Sequence, residues 1–66
     1  MKLTVNGKDQ DHDTVKTVAD LLGLLDVPRE RVAVMVNGTV IRRAELGTTT
    51  LREGDTVEII TMVGGG

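Results

Sequence analysis

The chain ends in the segment Thr56-Val57-Glu58-Ile59-Ile60-Thr61-Met62-Val63-Gly64-Gly65-Gly66, which joins a strand pattern to a run of glycines. Alternating, β-branched residues predict a β-strand over its first part. Three successive glycines favour neither strand nor helix, because glycine loses more backbone entropy on ordering than any other residue. The segment therefore predicts one domain, residues 1–63, followed by a flexible glycine tail, residues 64–66.

The tail has two interpretations. Chain termini fray, and glycine runs are common at disordered ends. Alternatively, glycines without Cβ atoms form a thread narrow enough to enter a slot in a partner enzyme, and the backbone bends freely at the reacting carbon. The tail alone does not decide between them, so the rest of the chain must.

Composition excludes several classes of function. The chain has 66 residues, so it forms one small domain with no room for a deep catalytic cleft. It has no cysteine, hence no disulfide and no thiol nucleophile. A net charge of −2 and the absence of aromatic residues disfavour nucleic acid as a partner. No apolar run approaches the roughly 20 residues that span a bilayer, so we expect a cytoplasmic protein with no membrane partner.

Two Asn-Gly pairs predict two β-hairpins. Asn6-Gly7 follows an alternating strand over residues 1–5, and a polar return strand over residues 8–13 comes after it. Asn37-Gly38 follows residues 32–36, which are apolar on both faces and so suit an interior strand. A short strand then returns from the second turn.

One helix is predicted between the hairpins. Thr17 can cap it, and Asp20 stands at the acidic position of a capping box. Apolar residues recur at helical spacing at Val18, Leu21, Leu22 and Leu25. Pro28 limits the helix, because the residue before a proline disfavours the α conformation.

The order of elements predicts an α+β fold in which one main helix covers one face of a mixed sheet of four to five strands. Residues 42–51 are expected to be irregular, with Leu46 and Leu51 filling the core beneath them. Glu53-Gly54-Asp55 turns the chain into the last strand.

Strand parity predicts an apolar patch on the open face of the sheet. If Val57 and Ile59 point at the helix, then Glu58, Ile60 and Met62 point at the open face of the sheet. Met35 does the same on its own strand. We predict that Met35, Ile60 and Met62 dock a partner at the root of the tail, since exposed patches often mark interfaces. A homodimer contact, or a register shifted by one residue, is the alternative.

No metal site is expected. Three aspartates alternate along the first return strand, Asp9, Asp11 and Asp13. With Asp20 they superficially resemble a calcium loop, but Thr14 replaces the required glycine and the last ligand would be a short aspartate. His12 has no partner set for a metal or a catalytic triad and is expected to face solvent. No catalytic residue is predicted.

Several segments together resemble one family: Asn6-Gly7, Thr17-Val18-Ala19-Asp20-Leu21-Leu22, Arg31-Val32-Ala33-Val34, Asn37-Gly38, Gly54-Asp55, Val57-Glu58-Ile59-Ile60 and Val63-Gly64-Gly65-Gly66. The chain is similar over its whole length to ThiS, the ubiquitin-like sulfur carriers of thiamin biosynthesis. The resemblance implies a β-grasp fold. Many relatives carry a Pro-Arg pair and an aromatic residue after the second hairpin, where this chain has Ile41-Arg42-Arg43 and Leu46.

The resemblance implies a protein co-substrate and not an enzyme. A ThiF-like adenylyltransferase would use ATP and Mg²⁺ to activate the Gly66 carboxylate, which has a pKa of roughly 3.5 and is a poor electrophile when ionised. A sulfur donor such as a cysteine desulfurase would convert it to a thiocarboxylate, which a ThiG-like thiazole synthase would consume. Gly65, Gly64 and Val63 would serve tail recognition, and the chain itself would bind no cofactor.

Two alternatives stay open. The chain could carry sulfur for the molybdopterin or cysteine pathway, with the same chemistry at its tail and different partners. It could instead be a regulatory β-grasp interaction module whose glycines are only a frayed end.

Overall fold

The computed structural model describes residues 1–62, which form a five-stranded mixed sheet and one α-helix. The elements in chain order are β1 (Lys2–Val5), β2 (Lys8–Asp11), α1 (Val18–Leu24), β3 (Val32–Val36), β4 (Thr39–Ile41) and β5 (Thr56–Thr61). Two short 3₁₀ helices, Arg29–Arg31 and Arg43–Glu45, lie before β3 and after β4. This is the β-grasp arrangement that was expected.

The last strand lies at the centre of the sheet. The strand order is β2-β1-β5-β3-β4, with β5 parallel to β1 and antiparallel to β3. Val57 accordingly pairs with Val5 on one side and with Val36 on the other. The strand that leads to the glycines is therefore held from both sides.

The core forms between α1 and one face of the sheet. Its buried residues are Leu3, Val5, Val15, Val18, Leu21, Leu22, Val32, Val34, Leu46, Leu51 and Val57. Leu46 and Leu51 are each 2% exposed, which confirms that they fill the core. The prediction of an irregular segment over 42–51 needs two corrections. Residues 43–45 form a 3₁₀ turn, and Thr50 forms a bridge with Thr17.

Both predicted hairpin turns are confirmed. The φ angles are 50° and 80° at Asn6 and Gly7, and 51° and 84° at Asn37 and Gly38. Positive φ at both central residues is typical of the turn that matches the twist of paired strands. β2 ends at Asp11, two residues earlier than predicted, because its partner β1 begins at Lys2, directly opposite Asp11.

The start of α1 is the predicted capping box. The Thr17 hydroxyl accepts the backbone N–H of Asp20 at 3.2 Å. The Asp20 carboxylate accepts the N–H groups of Thr17 and Lys16, each at 3.0 Å. These backbone donors, Thr17 first and then Lys16, hold the pKa of Asp20 below its ordinary value. A charge at this position also suits the positive end of the helix dipole.

Pro28 was predicted only to limit α1, and the helix ends within that limit at Leu24, with Leu25 as its C-cap. Asp26 takes a left-handed conformation with φ of 58°. The N–H of Val27 then donates to the carbonyl of Leu22 at 2.9 Å, and that of Asp26 to Gly23 at 3.2 Å. This pair of bonds closes a helix end that glycine usually makes.

Candidate functional site

The predicted docking residues lie on the face of the sheet that points away from α1. In β5, Val57 is buried and Ile59 half-buried, whereas Ile60 is 49% exposed. Met62 follows the strand and is 51% exposed. Met35 of β3 is partly exposed on the same outer face. The predicted parity is confirmed, and the docking role of Met35, Ile60 and Met62 stays a prediction.

The strand register makes these residues neighbours. Met35 lies opposite Val40 of β4 and opposite Glu58 of β5. Ala33 lies opposite Ile60 in the adjacent row. Side chains directly opposite one another in a sheet are in contact distance. We name the five residues Ala33, Met35, Val40, Ile60 and Met62 the outer apolar surface.

Val40, which is 64% exposed, was missed by the sequence reasoning. A signal for it existed, because a two-residue Asn-Gly turn fixes the pairing of its flanking strands. That pairing places Val36 opposite Thr39 and therefore Met35 opposite Val40. The register of the second hairpin was enough to add Val40 to the patch.

The backbone at Met62, just before the tail, is hydrogen-bonded on the β3 side of the last strand. The N–H of Met62 donates to the carbonyl of Arg31 at 2.7 Å, which extends the β3–β5 ladder past the last strand residue. The predictions for Val63, Gly64, Gly65 and Gly66, and with them the domain boundary at residue 63, lie outside the described residues.

On the β1 side, β5 extends beyond the end of β1, and the side chain of Asn6 continues the hydrogen-bond ladder. The Asn6 side chain accepts the N–H of Ile59 at 2.7 Å and donates to its carbonyl at 3.3 Å. Asn37 does the same at the start of β5, where its side chain accepts the N–H of Thr56 at 2.9 Å and donates to the Asp55 carboxylate at 2.9 Å. Sequence reasoning chose both asparagines for their turns and missed that each also holds β5.

The rest of the outer face, on β1 and β2, is polar. The hydroxyl of Thr4 donates to Asp9 at 3.1 Å, and the amino group of Met1 pairs with Asp11 at 3.1 Å. Residues 1–62 contain no cluster of three or more potential metal ligands. His12 corrects its prediction, since it is half-buried with Nε2 2.6 Å from Oε1 of Gln10.

In the same described part of the chain, α1 is far too short to cross a membrane, and no other helix reaches the necessary length and apolarity. The candidate site within the described residues is the outer apolar surface, and the predicted tail, residues 64–66, lies outside them.

Comparisons with known proteins give a consistent result. The sequence model of the ThiS family matches residues 3–66. The crystal structure of a thiamine biosynthesis protein (ThiS) from Geobacter metallireducens is 42% identical, with a TM-score of 0.84 and 100% of both chains covered. An NMR structure of a thiamine biosynthesis protein from the same organism is 42% identical with a TM-score of 0.80, covering 100% of this chain and 88% of that one.

One curated relative is a much longer protein than this chain. A thiazole synthase from Paramagnetospirillum magneticum is 35% identical over 66 residues, which are 100% of this chain and 20% of that protein. The chain thus spans a fifth of the length of the curated thiazole synthases that it matches.

Proposed function

Because the chain belongs to the ThiS family, we propose that it is a sulfur carrier that supplies thiazole formation in thiamin biosynthesis. The observation that carries this proposal is the extent of the family match, which runs to residue 66 and so includes all three glycines. We assign the carboxylate of Gly66 as the group that bears the sulfur. Gly65, Gly64 and Val63 then form the segment that an enzyme must recognise.

The chemistry requires activation by another protein. A terminal carboxyl group is ionised at neutral pH, because its ordinary pKa is about 3.5. The negative charge then repels nucleophiles. An adenylating enzyme, using ATP and Mg²⁺, would join the Gly66 carboxylate to AMP and release pyrophosphate. A sulfur nucleophile then attacks the carbonyl carbon, and AMP leaves with the electrons of its bond. With sulfide as the nucleophile, the product is the thiocarboxylate.

The chain's own contribution is to present this end. Its single small core lies between α1 and the inner face of the sheet, which leaves the outer face for a partner. Strand β5 runs from the middle of the sheet directly to the tail. A partner that grips the body therefore gains control over where the acyl group lies. The catalytic groups belong to that partner, and the chain is its co-substrate.

We assign the outer apolar surface as the docking site of a ThiF-like adenylating enzyme. Ile60 and Met62 precede the tail by only a few residues, so a partner that contacts them holds the chain close to the reacting carbon. Burying an exposed apolar side chain is worth about 25 cal/mol per Å² of area removed from water. Methionine also adapts its shape to a partner, and the surface contains two, Met35 and Met62.

The names of the curated relatives favour thiazole formation over the molybdopterin and cysteine pathways. Proteins called thiazole synthase contain a stretch that is 35% identical to this whole chain. Two domains of one polypeptide commonly act in the same reaction sequence, so that one uses the product of the other. A ThiG-like thiazole synthase is therefore the proposed sulfur acceptor. A cysteine desulfurase is the proposed source of sulfur, with a thiol as the reductant that releases its persulfide sulfur as sulfide.

Intact-mass spectrometry tests the assignment. The purified chain is incubated with a ThiF-like enzyme, ATP, Mg²⁺ and sodium sulfide, and its C-terminal peptide is mapped. We expect an ATP-dependent exchange of one oxygen for one sulfur on Gly66. A variant that lacks Gly66 is the control and should remain unmodified. Modification of that variant, or of a side chain, contradicts the assignment.

A second step distinguishes the pathways. The thiocarboxylated chain is mixed in turn with thiazole synthase, molybdopterin synthase partner subunits and a cysteine-forming enzyme, and loss of its sulfur is followed by mass. We expect discharge with thiazole synthase. Discharge with one of the others alone assigns the carrier to that pathway instead.

A further inference from the structure

Four of the eight basic residues of the chain come together at the tail end of the sheet. Arg29 and Arg31 lie just before β3, and Arg42 and Arg43 lie just after β4. Because β3 and β4 are antiparallel, with Val34 opposite Ile41, the start of one strand adjoins the end of the other. Glu30 and Glu45 lie in the same two 3₁₀ helices, so four arginines face two glutamates and the corner stays positive in a chain whose net charge is −2.

Two of these arginines adjoin the outer apolar surface. Arg31 offers its carbonyl to the N–H of Met62, so it lies beside the last residue that the structure describes. Arg42 is extended, with φ of −69° and ψ of 148°, and follows Val40 by two positions, which places it on the same outer face. Both residues are exposed.

The other two arginines are placed differently. Nη2 of Arg43 donates to the carbonyl of Glu30 at 3.2 Å and so ties the two 3₁₀ helices together. Arg29 begins the first of these helices, two residues further from Met62. Arg43 therefore has a structural role that Arg31 and Arg42 lack.

Among the residues that the structure describes, neither Arg31 nor Arg42 forms an ion pair. Across residues 1–62 the structure forms one ion pair, between the amino group of Met1 and Asp11, at the far side of the sheet. Within residues 1–62 the fold therefore gains no ion pair from these two arginines, whereas a partner with carboxylates would gain from both.

We propose that Arg31 and Arg42 form the charged rim of the docking surface and pair with carboxylates of the adenylating enzyme, which flank an apolar contact area. The inference rests on the proposed function and adds the chemistry of the partner's surface. Arginine is enriched at protein interfaces, and its planar fork binds carboxylates in a bidentate way. A nucleic-acid partner fits less well, because the arginines surround an apolar centre and the chain has no aromatic residue to stack on bases.

The position of the rim also orients the encounter. Both arginines lie at the tail end, whereas Glu58 lies on the same face opposite Met35, further from the tail than Ile60 and Met62. An acidic partner surface attracts the tail end and repels the opposite end. Such steering acts mainly on the rate of association and weakens with salt.

The test is a charge reversal with a matched control. Binding to a ThiF-like enzyme is measured by surface plasmon resonance for the wild type, for Arg31→Glu/Arg42→Glu, and for Arg52→Glu. Arg52 is also exposed but lies before β5, at the opposite end of the sheet. We expect the double variant to bind about tenfold or more weakly, chiefly through slower association, and to lose most of the salt dependence of the wild type. Arg52→Glu should bind nearly as the wild type does.

Thermal unfolding shows whether each variant is folded, and Arg31→Gln/Arg42→Gln replaces the double reversal if that does not fold. Binding unchanged by loss of both arginines overturns the inference, as does an equal loss with Arg52→Glu. Binding of RNA by the wild type that disappears in the double variant overturns it too. Charge-dependent binding without an ATP-dependent mass gain overturns the proposed function alone. Mass gain with charge-independent binding overturns this inference alone, and a wild type that does not bind overturns both.

Discussion

The two hairpins share a turn and an attachment, and they differ in what they show to solvent. β1–β2 and β3–β4 both turn at Asn-Gly with nearly equal φ angles, and in each the asparagine side chain holds β5. The outer face of β1–β2 is polar, with Thr4 bonded to Asp9. That of β3–β4 is apolar, with Met35 opposite Val40.

The difference shows which positions folding constrains. Turn residues and inward side chains are set by backbone geometry and the core, and these correspond in the two hairpins. Outward side chains are free of both constraints, so their contrast requires another cause. A polar outer strand such as β2 also discourages edge-to-edge association. The apolar outer face of β3–β4 does the opposite, which fits a surface meant for a partner.

The largest loss of binding is expected when a charge is placed on the outer apolar surface. Ile60→Asp should weaken binding to the adenylating enzyme by about 100-fold, because it places a charge in the centre of the contact. Thr56→Asp is the control, since residue 56 is exposed on the same face of the same strand next to Thr4. Calorimetry measures both. Equal affinities for the two variants would remove the outer apolar surface from the account.

The next effect tests whether the hairpins are equivalent in folding. Asn6→Gly and Asn37→Gly keep the positive φ but remove the side-chain bonds to β5, and each should lower the free energy of unfolding by about 1–2 kcal/mol. Asn6→Ala and Asn37→Ala also force alanine into the left-handed region and should cost about 1 kcal/mol more. Urea denaturation measures all four. A cost at only one of the two turns contradicts the equivalence.

Asp26 tests the role of the asparagine side chains from the opposite side. Among residues 1–62, it is the one non-glycine residue with positive φ besides Asn6 and Asn37. Its N–H closes the helix end, and no side-chain hydrogen bond depends on it among the described residues. Asp26→Gly should therefore raise the free energy of unfolding by about 1 kcal/mol, opposite in sign to Asn6→Gly. A loss of stability in urea denaturation would show that the aspartate side chain contributes to the helix end.

The smallest effect is a pH dependence that belongs to the helix and to neither hairpin. The folded pKa of Asp20 lies below its ordinary value of 3.8, because the N–H groups of Thr17 and Lys16 favour its charged form. Its contribution is therefore present above that ordinary value and is lost as the pH falls through the lower folded pKa. Urea midpoints from about pH 6 down to about pH 2.5 should fall less for Asp20→Asn than for the wild type. Identical slopes would contradict the capping box as the source.

Local patterns predicted most of the elements and the faces that they present. Asn-Gly turns, the Thr17 cap and the parity of β5 depend on neighbours in sequence, and all three are confirmed. The residue at which α1 ends was not predicted, because Asp26 adopts the left-handed conformation. In a sequence, this conformation usually marks a helix end only when the residue is glycine. Val40 was missed although its hairpin register was readable.

The arginine corner follows only in part from such patterns. The antiparallel pairing of β3 and β4 brings Arg31 and Arg42 to one end of that hairpin, but their position beside Met62 exists because β5 lies next to β3. Strand order depends on long-range packing of α1 against the sheet, and periodicity carries no information about it. The same is true of the asparagine side chains that reach β5 from both turns.

We propose that the body of this chain presents its last residue to enzymes, and the mass of the C-terminal peptide is the direct test. With a ThiF-like enzyme, ATP, Mg²⁺ and sulfide, the account predicts that Gly66 exchanges one carboxylate oxygen for sulfur, that omission of ATP prevents it, and that Ile60→Asp slows it. An unchanged Gly66, in a mixture where an established ThiS protein becomes thiocarboxylated, would contradict the account.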